Sequence, residues 1–396
     1  MKKEKKFIYT TFIFIITAIV LAGCTSTKND TSLQPVKKQE QMELDETHFS
    51  ERDEHPNMVY DNVREITLSA LGDVLIHDRV YDVAETKDGY DFLPMTDHVK
   101  SYMGDATITF ANQESVIGGE KVGLSSYPSF NSPYEIGDAL KEDGVDIVSM
   151  ANNHTLDRGE EAIQSAISHW EEIDMMYTGA YKNNMDASRI RVIETDEGMD
   201  VAFIAYTYGT NGIDVPEGKD YLVNYIDKKQ IKKDIKEARD EADVVVLSLH
   251  FGIEYERMPN NEQKELMQFA ADEGVDITLG HHPHVLQPVE WVEGENGNEM
   301  FAIYSLGNFL SGQDKPYTQT GGILNLTIQQ KIKDGESSIE VKDPTFLPTY
   351  VDIDEGYKVY PMFQLNDDQL SDSKKKYEDI KSHMSQWMPE LEFIED

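Results

Sequence analysis

Residues 244–250 read Val-Val-Val-Leu-Ser-Leu-His. A run this apolar, and this short, is a strand buried in a sheet, and its imidazole arrives just where such a strand leaves the core. The neighbours agree. An amphipathic helix is predicted over Lys228–Ala242 before it and another over Asn261–Glu273 after it, with a short strand at Ile277–Leu279 beyond. Towards the amino terminus the same rhythm gives strands at Ile66–Val74, Ala106–Phe110, Val145–Met150 and Val201–Tyr206. Helices fall at Pro133–Lys141, with Pro near the start and Gly144 past the end, and at Glu160–Ile173. In the latter, Ala162, Ile163, Ala166, Ile167 and Trp170 repeat with helical period. Towards the carboxyl terminus the helices stop, and Val289–Val292, Phe301–Leu306, Ile323–Ile328 and Ser338–Val341 read as successive strands. The pattern predicts an α/β fold: a layered two-sheet sandwich flanked by helices, α-β-β-α, as one domain over residues 64–352. An acidic extension, 353–396, follows, with a charged helix over Asp367–Met388 against the surface.

Polar residues cluster where these strands end. The groups are Gly72-Asp73 with His77-Asp78; Asn112-Gln113-Glu114; Asn152-Asn153-His154 with Asp157; His250 with Glu254; His282-Pro283-His284; and Gly307-Asn308. Open α/β sheets build their sites at the carboxyl ends of strands. Packing does not explain such residues, because burying one without a partner costs on the order of several kcal/mol. Carboxylate, imidazole and amide oxygen together suit one or two divalent ions such as Mn, Zn or Fe. The plainer alternative, turn residues after strands, applies most to His77, Asp78, Asp157, Glu254 and Asn308. His281 is expected to face away from its two neighbours, and His98, His169 and His383 to sit on helix surfaces. Ser115, Ser149 and Ser305 lack a Gly-x-Ser-x-Gly context, and no Walker or dinucleotide glycine pattern is present.

In this order the clusters resemble the CapA-type proteins of poly-γ-glutamate capsule synthesis, themselves similar to calcineurin-like metallophosphatases. The motifs are Gly-Asp-Val-Leu at 72–75, Asn-Gln-Glu at 112–114, Asn-Asn-His-Thr-Leu-Asp-Arg-Gly at 152–159, His-Phe-Gly-Ile-Glu-Tyr at 250–255, Gly-His-His-Pro-His-Val at 280–285 and Ser-Leu-Gly-Asn-Phe at 305–309. The resemblance implies Asp73 as ligand of a first metal, Glu114 as bridging carboxylate, and Asn153 with His250 and one of His282 or His284 at a second. The other imidazole then serves the first. His154 matches a histidine that contacts substrate oxygen, oriented by Asp157; His77, Asn112, Glu254 and Asn308 are further candidates. Two departures from the phosphatase pattern stand out. Leu75 occupies the position of a usual histidine, for which His77 is the nearest substitute, and Glu114 replaces a usual bridging aspartate. An HxH pair on an extended segment points both rings to one side.

The first 23 residues combine four lysines and one glutamate with an uncharged run from Phe7 to Ala22, ending Leu21-Ala22-Gly23-Cys24. That is a signal segment whose end resembles the bacterial lipobox, with Cys24, the chain's only cysteine, as the lipid attachment; an uncleaved signal anchor is the alternative. Residues 24–63 read as a polar tether containing His48 and His55. The expected location is the extracytoplasmic face of the cell membrane. With 36 Lys+Arg against 74 Asp+Glu the net charge is −38, and losing residues 1–23 makes it three units more negative. Nucleic acid is thereby excluded as a partner, since its backbone is held by Lys and Arg. The resemblance implies an anionic polymer substrate and membrane subunits of a capsule complex. It leaves open a metal-dependent hydrolase of phosphoester or amide bonds, a non-catalytic polymer-binding or scaffold subunit, and a general metallophosphoesterase.

Overall fold

The computed structural model describes residues 62–395. The expected signal segment, Cys24 and the tether up to residue 61 lie outside the described residues. Fifteen strands build the two main sheets. They are β1 (Asn62–Leu75), β2 (Ile108–Gln113), β3 (Ile147–Ser149), β4 (Met176–Thr178), β5 (Arg191–Glu194), β6 (Asp200–Thr207), β7 (Val244–His250) and β8 (Ile277–His281), then β9 (Leu286–Glu293), β10 (Glu299–Leu306), β11 (Asn308–Ser311), β12 (Thr320–Lys333), β13 (Glu336–Asp352), β14 (Lys358–Pro361) and β15 (Glu392–Phe393). The principal helices are α1 (Glu135–Glu142), α2 (Gly159–Glu172), α3 (Lys228–Glu241), α4 (Asn261–Asp272) and α5 (Ser373–Met384).

The first sheet runs β14-β13-β12-β1-β2-β3-β4, with β11 beside the end of β1 and β15 beside β13; the second runs β9-β10-β8-β7-β6-β5. The sheets pack face to face with helices outside, the layered sandwich the sequence predicts. Strand β7 shows why. Val244 and Val246 face Phe110, Phe203 and Leu279 in the core between the sheets, while Val245, Leu247 and Leu249 meet α3 and α4 through Ile231, Ile235 and Met267. A strand covered on both faces needs an unbroken apolar run. On the other side, Ile163, Ile167 and Trp170 of α2 and Leu140 of α1 cover Leu71 and Val148 of the first sheet.

Beyond residue 352 the chain continues the first sheet: β14 pairs antiparallel and β15 parallel with β13. The helix expected over Asp367–Met388 is the shorter α5. It does not merely rest on the surface, because Tyr377, Ile380 and Met384, followed by Met388, enter the core between the sheets.

One crossing positions the site. The backbone oxygen of Gly307 accepts a hydrogen bond from the Asp73 amide at 2.8 Å, and a Cβ on Gly72 would come within 2.2 Å of it. Only glycine permits that approach. The register of β1 against β2 shifts here, and Asp73 stands opposite Asn112 of β2 and Asn308 of β11.

Candidate metal centre

The exits of β1, β2, β7 and β8, with the start of β11, place their polar residues around Glu114. Asp73 accepts through Oδ1 from Asn112 Nδ2 at 2.9 Å and through Oδ2 from the His282 amide at 3.3 Å. His284 Nδ1 lies 3.2 Å from Asp73 Oδ2, and its Nε2 3.6 Å from Glu114 Oε1. His250 Nε2 lies 3.5 Å from the same glutamate oxygen and 3.0 Å from Asn153 Oδ1. Two sets of ligand atoms are each gathered within 4.8 Å: Asp73, Glu114 and His250, and Glu114, His282 and His284. Glu114 is common to both. The His282 ring lies 4.8 Å from that of His250 and 6.0 Å from that of His284, which itself stands against Asp73.

The electrostatics follow from burial. Burial pushes the Glu114 carboxyl well above the usual range, only partly opposed by His284. Burial also opposes charge on Asp73, yet His281 and His284 outweigh it and hold that carboxyl well below its usual range. Burial draws His250 well down and His282 down to about 3, so both rings present lone pairs. His284 resists burial because Glu114 and Asp73 flank it, and rises to about 9.

These residues fit a divalent cation. Both Glu114 oxygens are buried without a hydrogen-bond partner, as are His282 Nδ1 and Asn112 Oδ1. A buried carboxylate left with no donor is costly, and a cation is the ligand its neighbours (neutral imidazoles and an amide oxygen) suit. The centre therefore has the donor chemistry of a divalent-metal site.

Beside it, the loop after β3 brings His154 into place. Its Nδ1 donates to Asp157 Oδ2 at 2.8 Å, because an ionised carboxylate only accepts. The same oxygen takes the Phe130 amide at 2.7 Å, and the Phe130 ring meets His154 edge-on at 4.7 Å. The ring is thus fixed on one side, while Nε2 has no partner among the described residues.

The family of bacterial capsule synthesis proteins PGA_cap matches residues 67–313, a span that includes every residue of this centre. The chain belongs to that family. It is 26% identical over 345 residues to the capsule biosynthesis protein CapA of Bacillus anthracis, covering 85% of this chain and 75% of that protein. To the PGA biosynthesis protein CapA of Bacillus subtilis (strain 168) it is 30% identical over 209 residues, 51% of each. A solved structure of a putative 5'-nucleotidase from Staphylococcus aureus in complex with alpha-ketoglutarate covers 80% of this chain and 58% of that one, at a TM-score of 0.43 and 14% identity.

Within this capsule-synthesis family chain, several expected residues sit elsewhere than predicted. His281 lies outside both ligand sets, its ring against Phe110 in the core and its Nδ1 3.3 Å from Asp73 Oδ1. His282 and His284 converge on the centre, but from left-handed backbone (φ 97° and 57°) rather than from strand alternation. His77 belongs to neither ligand set. Its Nδ1 lies 3.1 Å from the Leu75 carbonyl oxygen and 3.2 Å from the Gly312 amide nitrogen, either of which it can pair with according to tautomer, and its ring packs edge-on against Phe130. Burial draws it down to about 4. Glu254 is exposed, outside both sets. Asn112 and Asn308 act on ligands, Asn112 on Asp73 and Asn308 Oδ1 on His284 Nδ1 at 3.1 Å. His98 is exposed, whereas His169 and His383 are half-buried, His383 holding the Leu286 carbonyl at 3.0 Å.

Sequence reading passed over Tyr208, whose ring lies 4.6 Å from that of His282, and Asn211, which reaches Asn153 and His154 at 3.4 Å each. Both occupy an ordinary-looking Tyr-Gly-Thr-Asn-Gly turn after β6. The only available signal was its position at a strand exit.

Proposed function

We propose that this chain is a metal-dependent hydrolase of capsule-polymer biogenesis, acting on phosphoester or amide bonds of poly-γ-glutamate or a similar anionic polymer. In this reading it is held by a lipid on Cys24 at the extracytoplasmic face of the cell membrane, beside the membrane subunits of a capsule complex. Among the described residues no helix is long and apolar enough to cross a membrane. The observation that carries the proposal is Glu114, fully buried with neither oxygen hydrogen-bonded, standing between two sets of metal-ligand atoms. Membership of a capsule synthesis family supports the polymer as substrate.

Asp73, Glu114, Asn153, His250, His282 and His284 would hold one or two ions, of which Mn, Zn or Fe suit the donor set. Such ions supply Lewis acidity, a water acidified to near neutrality and charge neutralisation at the scissile group. The protein's own part is orientation and proton handling. Asp157 keeps the His154 proton on Nδ1, so Nε2 accepts a proton when the ring is neutral and returns it to a leaving group when the ring is charged. Asn112 and Asn308 fix Asp73 and His284 as second partners of those side chains. The positive charge so concentrated lets an otherwise acidic protein approach an anionic polymer, since repulsion beyond about 8–10 Å is screened at physiological salt.

The test is release of new polymer ends by the full chain loaded with Mn or Zn. His154→Ala should lower the rate by about 10²–10⁴-fold while bound metal stays unchanged. An undiminished rate in that variant would overturn the reading. Cell fractionation of Cys24→Ala tests the anchor: the protein should leave the membrane, and full retention with a cleaved signal would contradict it.

A further inference from the structure

Two loops at the rim of the centre hold each other by exchanged cation–ring pairs. Lys315 Nζ stands 3.7 Å from the centre of the Tyr255 ring, and Arg257 Cζ stands 4.1 Å from the centre of the Tyr317 ring. Each loop therefore gives one cation and receives one. Both tyrosines adopt left-handed backbone, φ 69° and 67°, a region bulky residues occupy only under constraint. The loops are tied to the metal ligands. The Tyr255 amide donates to the Pro283 carbonyl at 2.8 Å, and its ring lies 6.2 Å from that of His284. On the other loop the Thr318 carbonyl accepts from Asn308 Nδ2 at 2.8 Å.

The charges on this clasp are unspent. Neither Arg257 nor Lys315 forms an ion pair among the described residues, in a chain of net charge −38 where carboxylates are plentiful. Nε and Nη2 of Arg257 are buried with no acceptor, the only Lys or Arg nitrogens among the described residues in that condition. Those two N–H groups form one edge of the guanidinium, a fork matched to both oxygens of a single carboxylate. A guanidinium buried on that edge with nothing to donate to is a site lacking its partner.

We propose that Arg257 and Lys315 form an anion-recognition subsite, in which the Nε/Nη2 edge of Arg257 takes one substrate carboxylate and Lys315 makes the second contact. The exposed segment 314–317 gives way as the carboxylate enters. The proposal rests on the reading of an anionic polymer substrate and adds to it: the polymer is held beyond the bond at the metal centre through a neighbouring carboxylate. An Arg, rather than a second metal ligand, then sets specificity for carboxylate over other groups.

Calorimetry on the full chain loaded with Mn tests this, with a short γ-linked glutamate oligomer and inorganic phosphate as separate probes. Arg257→Met should raise the Kd for the oligomer about tenfold or more, as expected for loss of a charge-assisted bidentate contact. Arg257→Lys, which keeps the charge without the fork, should lose nearly as much, and Lys315→Met less. Phosphate binding and metal content should not change. If Arg257→Met fails to fold, Arg257→Lys and Lys315→Met decide the matter. Oligomer binding unchanged across the folded variants would overturn the subsite and leave the hydrolase reading intact. Parallel weakening of phosphate would overturn the carboxylate assignment in favour of phosphate-bearing ligands. If the unmodified chain binds no oligomer, the polymer reading fails first and the subsite with it.

Discussion

Asp276, half-buried, and Glu114, fully buried, are carboxylates that stand at opposite ends of the strands. Asp276 immediately precedes β8. Its Oδ2 accepts the Val245 amide at 2.7 Å and the Arg239 guanidinium, and its backbone oxygen accepts the Phe301 amide at 3.0 Å. Glu114 follows β2 and accepts nothing on either side-chain oxygen. Burial raises the pKa of both, but at Asp276 the charge on Arg239 works against it, whereas at Glu114 the nearest help is His284, itself shared with Asp73. At Asp276, where β8 enters its sheet, the donors close upon the carboxylate; at Glu114, where β2 leaves its sheet, both oxygens remain open. Burial of a carboxylate is thus no sign of function until its donors have been counted.

Substitutions at the two ends should separate in kind. Glu114→Gln, which removes the open carboxylate, should abolish metal-dependent hydrolysis and metal retention. In chelator it should leave the thermal midpoint unchanged or higher, because the amide replaces a buried carboxyl whose oxygens have no donor. A large loss of stability would instead make Glu114 a structural residue like Asp276. Asp157→Asn should lower turnover by about 10–100-fold through misorientation of His154, with metal bound as before. Equal turnover would show that the Asp157 contact serves only the loop. Asp276→Ala should cost about 1–3 kcal/mol in denaturant unfolding, since Arg239 and the Val245 amide lose their acceptor. It should spare metal content, and loss of metal there would erase the contrast between the ends.

The mildest expected effect is on pH. His284 has its pKa raised from 6.5 to about 9, so its contribution to stability is complete below pH 6.5 and lost as pH rises through 9. The raised pKa of Glu114 acts in the same direction. In chelator, the thermal midpoint should therefore decline gradually across this interval. His284→Gln should flatten the decline, and an unchanged slope would assign it to other groups.

Much of this contrast was legible in the sequence. Strands covered on both faces leave unbroken apolar runs, and Asp73, Glu114, His250 and His284 stood out because packing could not account for them at strand ends. The long strand β13 was not legible beyond Ser338–Val341. Lys342-Asp343-Pro344 and Pro348 interrupt its pattern, and Asp343 takes a left-handed turn (φ 50°) within it. Alternation also failed for the histidines after β8, because left-handed residues replace the extended backbone that the rule assumes. The clasp of Arg257 and Lys315 joins loops about sixty residues apart, and no periodicity in either segment announces the other. Contacts of that kind exist only once the fold has set both loops at the same rim.

The central claim is that the strand exits around Glu114 hold a metal ion, and elemental analysis addresses it most directly. The full chain, purified without chelators, should carry one or two equivalents of Mn, Zn or Fe, and a His282→Ala/His284→Ala variant should carry markedly less. Equal and negligible metal in both proteins would contradict the account.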